Sequence, residues 1–277
     1  MGAEGKPLVL CADDYAQHAG VTRAVLALAA QGRLTATSAM VLSPRWREDA
    51  APLREWREQL DVGLHLDFTS DFAVAAGHGL SLGAAMRRAL LGGFDPADAR
   101  VVIERQLDAF EAAWGAPPDH VDGHQHVQQF AGIRTPLVQV LARRYGARPP
   151  WLRVSRPPAS QRTLKSWVIA SLGAGALEKI AAHARIPCAS ALSGIYDFTG
   201  DEAGYAHRMA GWLAGSPAGT LLMCHPGAAP EAADGPDPIA AARAWEFAHF
   251  ASAAFAAQCA TAGVRLVRGS TLYPPHA

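Results

Sequence analysis

Short apolar runs alternate along the chain with stretches whose apolar residues recur three or four apart. The first kind of segment fits a strand buried on both faces, and the second fits one face of a helix. Residues 7–12 form an apolar run that stops at Asp13-Asp14-Tyr15, which predicts a strand delivering two carboxylates at its carboxyl end. Further strands are expected over 36–42, 61–66, 151–154, 219–224 and 264–267, with a histidine-bearing stretch from His120 in the place of the fourth. Helices are expected over 20–31, 46–59, 133–145, 163–183, 201–214 and 239–262. Another starts at Asp95-Pro96, a cap followed by proline in the first turn. It presents Ile103, Leu107, Phe110 and Trp114 on one face and stops at Gly115. Segments 70–83 and 228–238 read as loops, and 184–200 has no clear period.

Strands alternating with helices imply parallel pairing through right-handed crossovers. The expected fold is α/β, an irregular β/α barrel of about seven mainly parallel strands. No linker or repeat divides residues 1–277, so one domain is expected.

Half of the residues are hydrophobic and 18% are charged, enough apolar surface for a large core and too little charge for a disordered chain. The formal net charge is zero, which gives no electrostatic footprint for nucleic acid. Cys11, Cys188, Cys224 and Cys259 are scattered, without a C-x-x-C pair, and read as small buried thiols. The apolar run before Cys11 is too short for a signal segment, and no stretch reaches the roughly 18 apolar residues of a membrane span. A cytoplasmic protein without a membrane span is therefore expected.

Eleven histidines direct attention to metal and proton chemistry. His120, Asp122, His124 and His126 alternate at every second position, with Gly123 between them. In an extended backbone such residues share one side. A row of imidazoles beside a carboxylate is costly unless something binds it, and a divalent metal is the usual partner. Asp13, Asp14, His65, His124, Arg153 and His225 all fall at carboxyl ends of expected strands. In a parallel barrel those ends form one face, where active sites are built. Each residue also has a plain structural reading. The two aspartates can cap a helix, His65 can be a satisfied core residue, His225 can be a turn residue before Pro-Gly, and Arg153 can be a surface charge.

The ordered set Ala12-Asp13-Asp14, Gly63-Leu64-His65-Leu66, His120-Val121-Asp122-Gly123-His124-Gln125-His126-Val127 and Cys224-His225-Pro226-Gly227 resembles the YdjC-like carbohydrate deacetylases. That family includes chitooligosaccharide deacetylases and deacetylases linked to hopanoid biosynthesis. The resemblance implies a barrel similar to polysaccharide deacetylases of the NodB type. It implies one divalent metal ion, Zn or Mg, held by Asp14, His65 and His124, with Asp13 as general base and His225 as general acid. Arg153, Asp67 and His126 are the expected substrate contacts, and an N-acetylated oligosaccharide or glycolipid is the expected substrate. A homodimer is consistent with the family. Tyr15-Ala16, Asp67 and Gln128 stand where Phe-Gly, Asn and His are usual, and Asp67 and Gln128 are expected beside the cleft. Two His and one carboxylate also suit a non-heme Fe(II) enzyme, and a sugar-binding protein without turnover is the third reading.

Overall fold

The computed structural model describes residues 5–229 and 236–275. Strand β1 (Lys6–Tyr15) leads into α1 (Ala19–Ala30), β2 (Ala36–Ala39), α2 (Trp46–Leu53) and β3 (Asp61–Leu66). Then come α3 (Asp71–Ala75), α4 (Leu82–Leu90), α5 (Pro96–Trp114), β4 (His120–Gly123), α6 (Arg134–Tyr145) and β5 (Trp151–Leu152). The second half runs α7 (Leu164–Ser171), α8 (Ala174–His183), β6 (Ala191–Ser193), α9 (Glu202–Gly215) and β7 (Thr220–Cys224). It ends with α10 (Ala240–Ala251), α11 (Ala253–Thr261), β8 (Val264–Leu266) and α12 (Gly269–Leu272).

The strands lie parallel in the order β5-β4-β3-β2-β1-β7-β6, and β8 pairs with Lys6, Pro7 and Leu8 of β1. The sheet curls until its ends meet. The Leu152 N–H donates to Pro187 O and the Ala189 N–H to Leu152 O, each at 2.9 Å. This is the irregular β/α barrel expected from the alternation of strands and helices. Among the described residues no helix is long and apolar enough to cross a membrane.

The two-residue period of the strands sorts side chains to the two faces. In β1, Leu8, Leu10 and Ala12 join the core beneath the helices, while Val9 and Cys11 join the cluster inside the barrel with Trp151, Leu221 and Met223. The same alternation carries Asp13 inward from β1, Asp61 and His65 from β3, and His120 and Asp122 from β4. Gly63 admits this filling. A Cβ there would stand 2.4 Å from the His120 ring, which stacks on Trp151 with centroids 4.3 Å apart.

Several boundaries differ from expectation for identifiable reasons. The helix expected over 46–59 ends at Leu53, one residue after Pro52, and tightens into a 3-10 turn over Arg54–Trp56. The segment 70–83 is not all loop: Ser70 caps α3, and Ser81 caps α4. The helix over 163–183 divides into α7 and α8 at Gly173, whose φ of +134° only glycine adopts easily. The helix over 239–262 divides at Ser252, which caps α11. Segment 184–200 contains β6. Of the loop expected over 228–238, residues 230–235 lie outside the described residues.

At the amino ends of the strands, Asp61 and Asp119 stand close enough to repel. Burial first, and then the Asp61 charge, push the Asp119 carboxyl up to about 7. A carboxyl with a folded pKa above its unfolded value of about 3.9 binds extra protons in the folded state between those two pH values. Stability therefore falls as pH rises through that window. Asp119→Asn keeps an oxygen to accept the Val62 N–H, now 2.8 Å from Asp119 Oδ2. We expect it to be more stable than the parent by about 1–2 kcal/mol above pH 7, after allowing for partial exposure. The gain should vanish near pH 4, and urea unfolding at the two pH values measures it.

Candidate active site

Three segments meet at the carboxyl end of the barrel. Asp14 lies where the register between β1 and β2 shifts, and its φ is +66°. This bulge turns a second carboxylate toward the barrel mouth in place of the strict alternation that would aim it outward. His65 is the penultimate residue of β3. His124 follows β4 in a 3-10 turn where Gln125 and His126 take φ values of +55° and +64°. Non-glycine residues in the left-handed region cost energy and concentrate at functional sites. The expected row of alternating side chains therefore stops at Gly123. His120 and Asp122 stay inside the barrel, and the turn carries His124 onto Asp14.

His124 Nδ1 is 3.1 Å and His65 Nε2 is 3.4 Å from Asp14 Oδ1. One ligand atom from each residue lies within 4.8 Å of the others, close enough to share one ion. The surroundings fix these donors. Asp122 Oδ1 is 2.6 Å from His65 Nδ1, which leaves Nε2 facing Asp14. Arg243 donates to Asp14 Oδ2 at 2.8 Å and to Asp237 at 2.6 Å. Burial opposes charge on Asp14, but Arg243 with the two histidines overrides it and holds the carboxyl well below the usual range. Burial likewise opposes charge on His65, and the Asp122 and Asp14 carboxylates overcome it, raising the imidazole to about 10. The pocket thus draws positive charge to the point where the three ligand atoms converge. A divalent ion satisfies that demand, so the donor set fits a metal.

Two other clusters, Cys11–His120–Asp122 and Asp13–His65–Asp122, have similar spacing among the described residues. Both surround the Arg153 guanidinium, which is 2.6 Å from both Asp13 oxygens, 2.5 Å from Asp122 and 3.3 Å from Cys11 Sγ. A fixed cation already serves those carboxylates. Only the Asp14–His65–His124 group is both free of that guanidinium and wholly on the cavity wall.

The cavity over this group has a volume of about 620 Å³, and Asp13, His126 and His225 line it as well. Burial would raise the Asp13 carboxyl, but Arg153 outweighs it and keeps the group below its usual pKa. His225 Nε2 is 3.9 Å from Asp13 Oδ2. Its backbone N–H donates to Glu246 at 2.5 Å, and its ring meets the Phe198 ring edge-on. Burial lowers the His225 imidazole to about 4, so it stands neutral at neutral pH.

Three expectations change. Arg153 is fully buried beneath Asp13, grips that carboxylate and does not line the cavity. Asp67 is also off the cavity wall. Its carboxylate accepts the Thr69 and Ser70 N–H groups at 3.0 and 2.9 Å, tying the turn after β3. Gln128 is buried and donates to Arg153 O and Ser155 Oγ. Arg243 and Glu246 went unrecognised in the sequence. Both are buried on one face of α10 with Ala242 and Phe250, and charged residues on the apolar stripe of an alanine-rich helix are the signal that marks them.

The family described as YdjC-like protein matches residues 7–261. A chitooligosaccharide deacetylase of Serratia marcescens is 30% identical over 173 residues, which cover 57% of this chain and 63% of that protein. The match thus spans less than two thirds of that relative. Among solved structures, a candidate cellobiose-phosphate cleavage protein of Enterococcus faecalis V583 superposes with a TM-score of 0.71 at 19% identity, over 97% of this chain and 99% of its own. A family 4 acetyl xylan esterase of Clostridium thermocellum, in complex with a cobalt ion, gives 0.51 at 12% identity, over 96% and 90%. At these identities the solved structures establish the shared fold alone.

Proposed function

The chain belongs to the YdjC-like family, and on that footing we propose that it is a metal-dependent hydrolase removing an acetyl group from an N-acetylated sugar. The observation that carries this reading is Asp13, an ionised carboxylate on the wall of the cavity that holds the Asp14–His65–His124 group. Binding a sugar requires no base beside a metal site, whereas amide hydrolysis does.

Asp14, His65 and His124 would hold the divalent ion. When bound, it supplies a Lewis acid that polarises the amide carbonyl and acidifies water. Asp13 then accepts the proton of the attacking water. Arg153 grips both Asp13 oxygens and keeps the carboxylate ionised and aimed. His225 enters neutral and stands beside Asp13. It can therefore take up the proton that Asp13 has gained and deliver it to the leaving amine. His126, on the cavity wall with its Nδ1 2.9 Å from Ser155 Oγ, is placed to meet the substrate.

The test is acetate release from N-acetylglucosamine oligomers with added Zn, Mg or Co. Chelation should stop it, and His124→Ala should lower the rate by about 100-fold or more, the scale of losing a ligand of a catalytic ion. The His124 side chain is partly exposed, so folding should survive the change. Full activity in that variant would remove the proposal.

A further inference from the structure

Much of the cavity wall is apolar, with Leu82, Met86, Val168, Leu172 and Phe198 set around the metal-holding group. A sugar hydroxyl that gives up water on such a wall needs a polar partner there. Most of the polar side chains on the wall already make hydrogen bonds within the protein. Lys165 donates to Tyr196 O, and the Tyr196 hydroxyl donates to Glu246. Asp237 and Gln17 both accept from Arg243, and His126 Nδ1 meets Ser155 Oγ. Asp13, His225 and the metal-holding group are committed to the reacting end.

Gln125 is the exception. It lines the cavity and is exposed, and among the described residues no hydrogen bond engages its side-chain amide. It follows His124 in the chain, and neighbouring Cα atoms lie about 3.8 Å apart, which keeps it beside the reacting end. Its backbone is left-handed, with φ of +55° and ψ of +28°. Glycine and asparagine take that region readily, whereas a glutamine held in it is strained. Strain of this kind persists where the surrounding structure imposes it, and it gathers at ligand clamps. A primary amide offers two N–H donors and a carbonyl acceptor, which complements a hydroxyl that both donates and accepts.

We propose that Gln125 is the residue that reads the sugar. Its amide bonds hydroxyls of the ring that carries the acetamido group, and so separates an amino sugar from a simpler N-acetyl amine. The assignment rests on the deacetylase reading for the position of the acetamido group, while the hydroxyl contact is tested by binding alone.

Dissociation constants of the full-length protein with added Zn are measured by NMR titration for two ligands. One is methyl N-acetyl-β-glucosaminide, and the other is N-cyclohexylacetamide, the same amide on a ring without hydroxyls. Gln125→Ala should lower the affinity ratio of the sugar to the hydroxyl-free amide by about threefold to tenfold, the scale of one neutral hydrogen bond. The side-chain amide signal of Gln125, assigned by its loss in the variant, should shift with the sugar and much less with the hydroxyl-free amide. A thermal melt verifies that the variant is folded. An unchanged affinity ratio, or a signal that moves equally with both ligands, overturns the proposal. The same spectra record any acetate released. No acetate from either ligand, with the ratio and the signal responding as expected, would instead count against the deacetylase reading and leave Gln125 standing as a sugar contact.

Discussion

Asp13→Asn should lower kcat for acetate release by about 10²–10⁴-fold, the usual contribution of a general base, while divalent-ion binding persists. The amide of asparagine has nearly the shape of the carboxylate but cannot accept the proton of the attacking water. Asp14, His65 and His124 should keep their positions, because their shortest polar contacts run to Arg243, Asp122 and one another. Arg153 loses one of its two carboxylates but keeps Asp122 at 2.5 Å, so the guanidinium is not stranded and the variant should fold. Steady-state kinetics paired with metal titration would check this. Parental kcat would remove Asp13 from the chemistry, and loss of metal binding together with kcat would mean it supports the ion instead.

The reach of sequence reasoning differs from element to element. Asp14, His65 and His124 were legible because strand ends in a parallel barrel share one face, a rule that needs only the order of elements. The alternation of His120, Asp122, His124 and His126 misled past Gly123, since it presumes an extended backbone and Gln125 and His126 are left-handed. Arg153 was placed correctly at a strand end. Its direction, inward beneath Asp13, depends on partners that only the closed sheet brings together. Asp67, expected beside the cleft from the resemblance, lies off the cavity wall, where the N–H groups of Thr69 and Ser70 capture the carboxylate locally. An Asp at a strand end commonly accepts backbone N–H groups two or three residues on and closes such a turn, so this signal was available. Helix α4 was missed because the glycine-rich segment 70–83 reads as a loop past its start at Leu82; Leu82, Ala85, Met86 and Ala89 do recur three or four apart, and of them only Ala85 is buried. That thin burial is also what opens its leucine and methionine to the cavity.

Arg153→Met should destabilise the protein by about 3–5 kcal/mol, the cost of breaking a buried ion pair from one side. In a chain of this length that corresponds to a fall in Tm of roughly 10 °C. Methionine fills much of the same volume, so the loss is electrostatic more than steric. Asp13 and Asp122 would face each other without the guanidinium between them, Asp122 fully buried and Asp13 open only at the cavity wall. The pH dependence has a definite sign. In the parent, Arg153 holds the folded Asp13 pKa below its unfolded value of about 3.9, so this stabilisation is complete above that pH and is lost as pH falls through the folded value. In the variant, burial and the Asp122 charge lose their main opponent and raise the carboxyl, so its folded form pays increasingly as pH rises. The gap between parent and variant should be widest near neutral pH and close in acid. Adding Asp13→Asn to Arg153→Met removes one of the repelling charges and should recover part of the loss. Denaturant unfolding of the parent and the two variants across pH measures each step. A double variant no more stable than Arg153→Met, at neutral pH as in acid, would mean that packing around residue 153 and not charge holds this end of the barrel together.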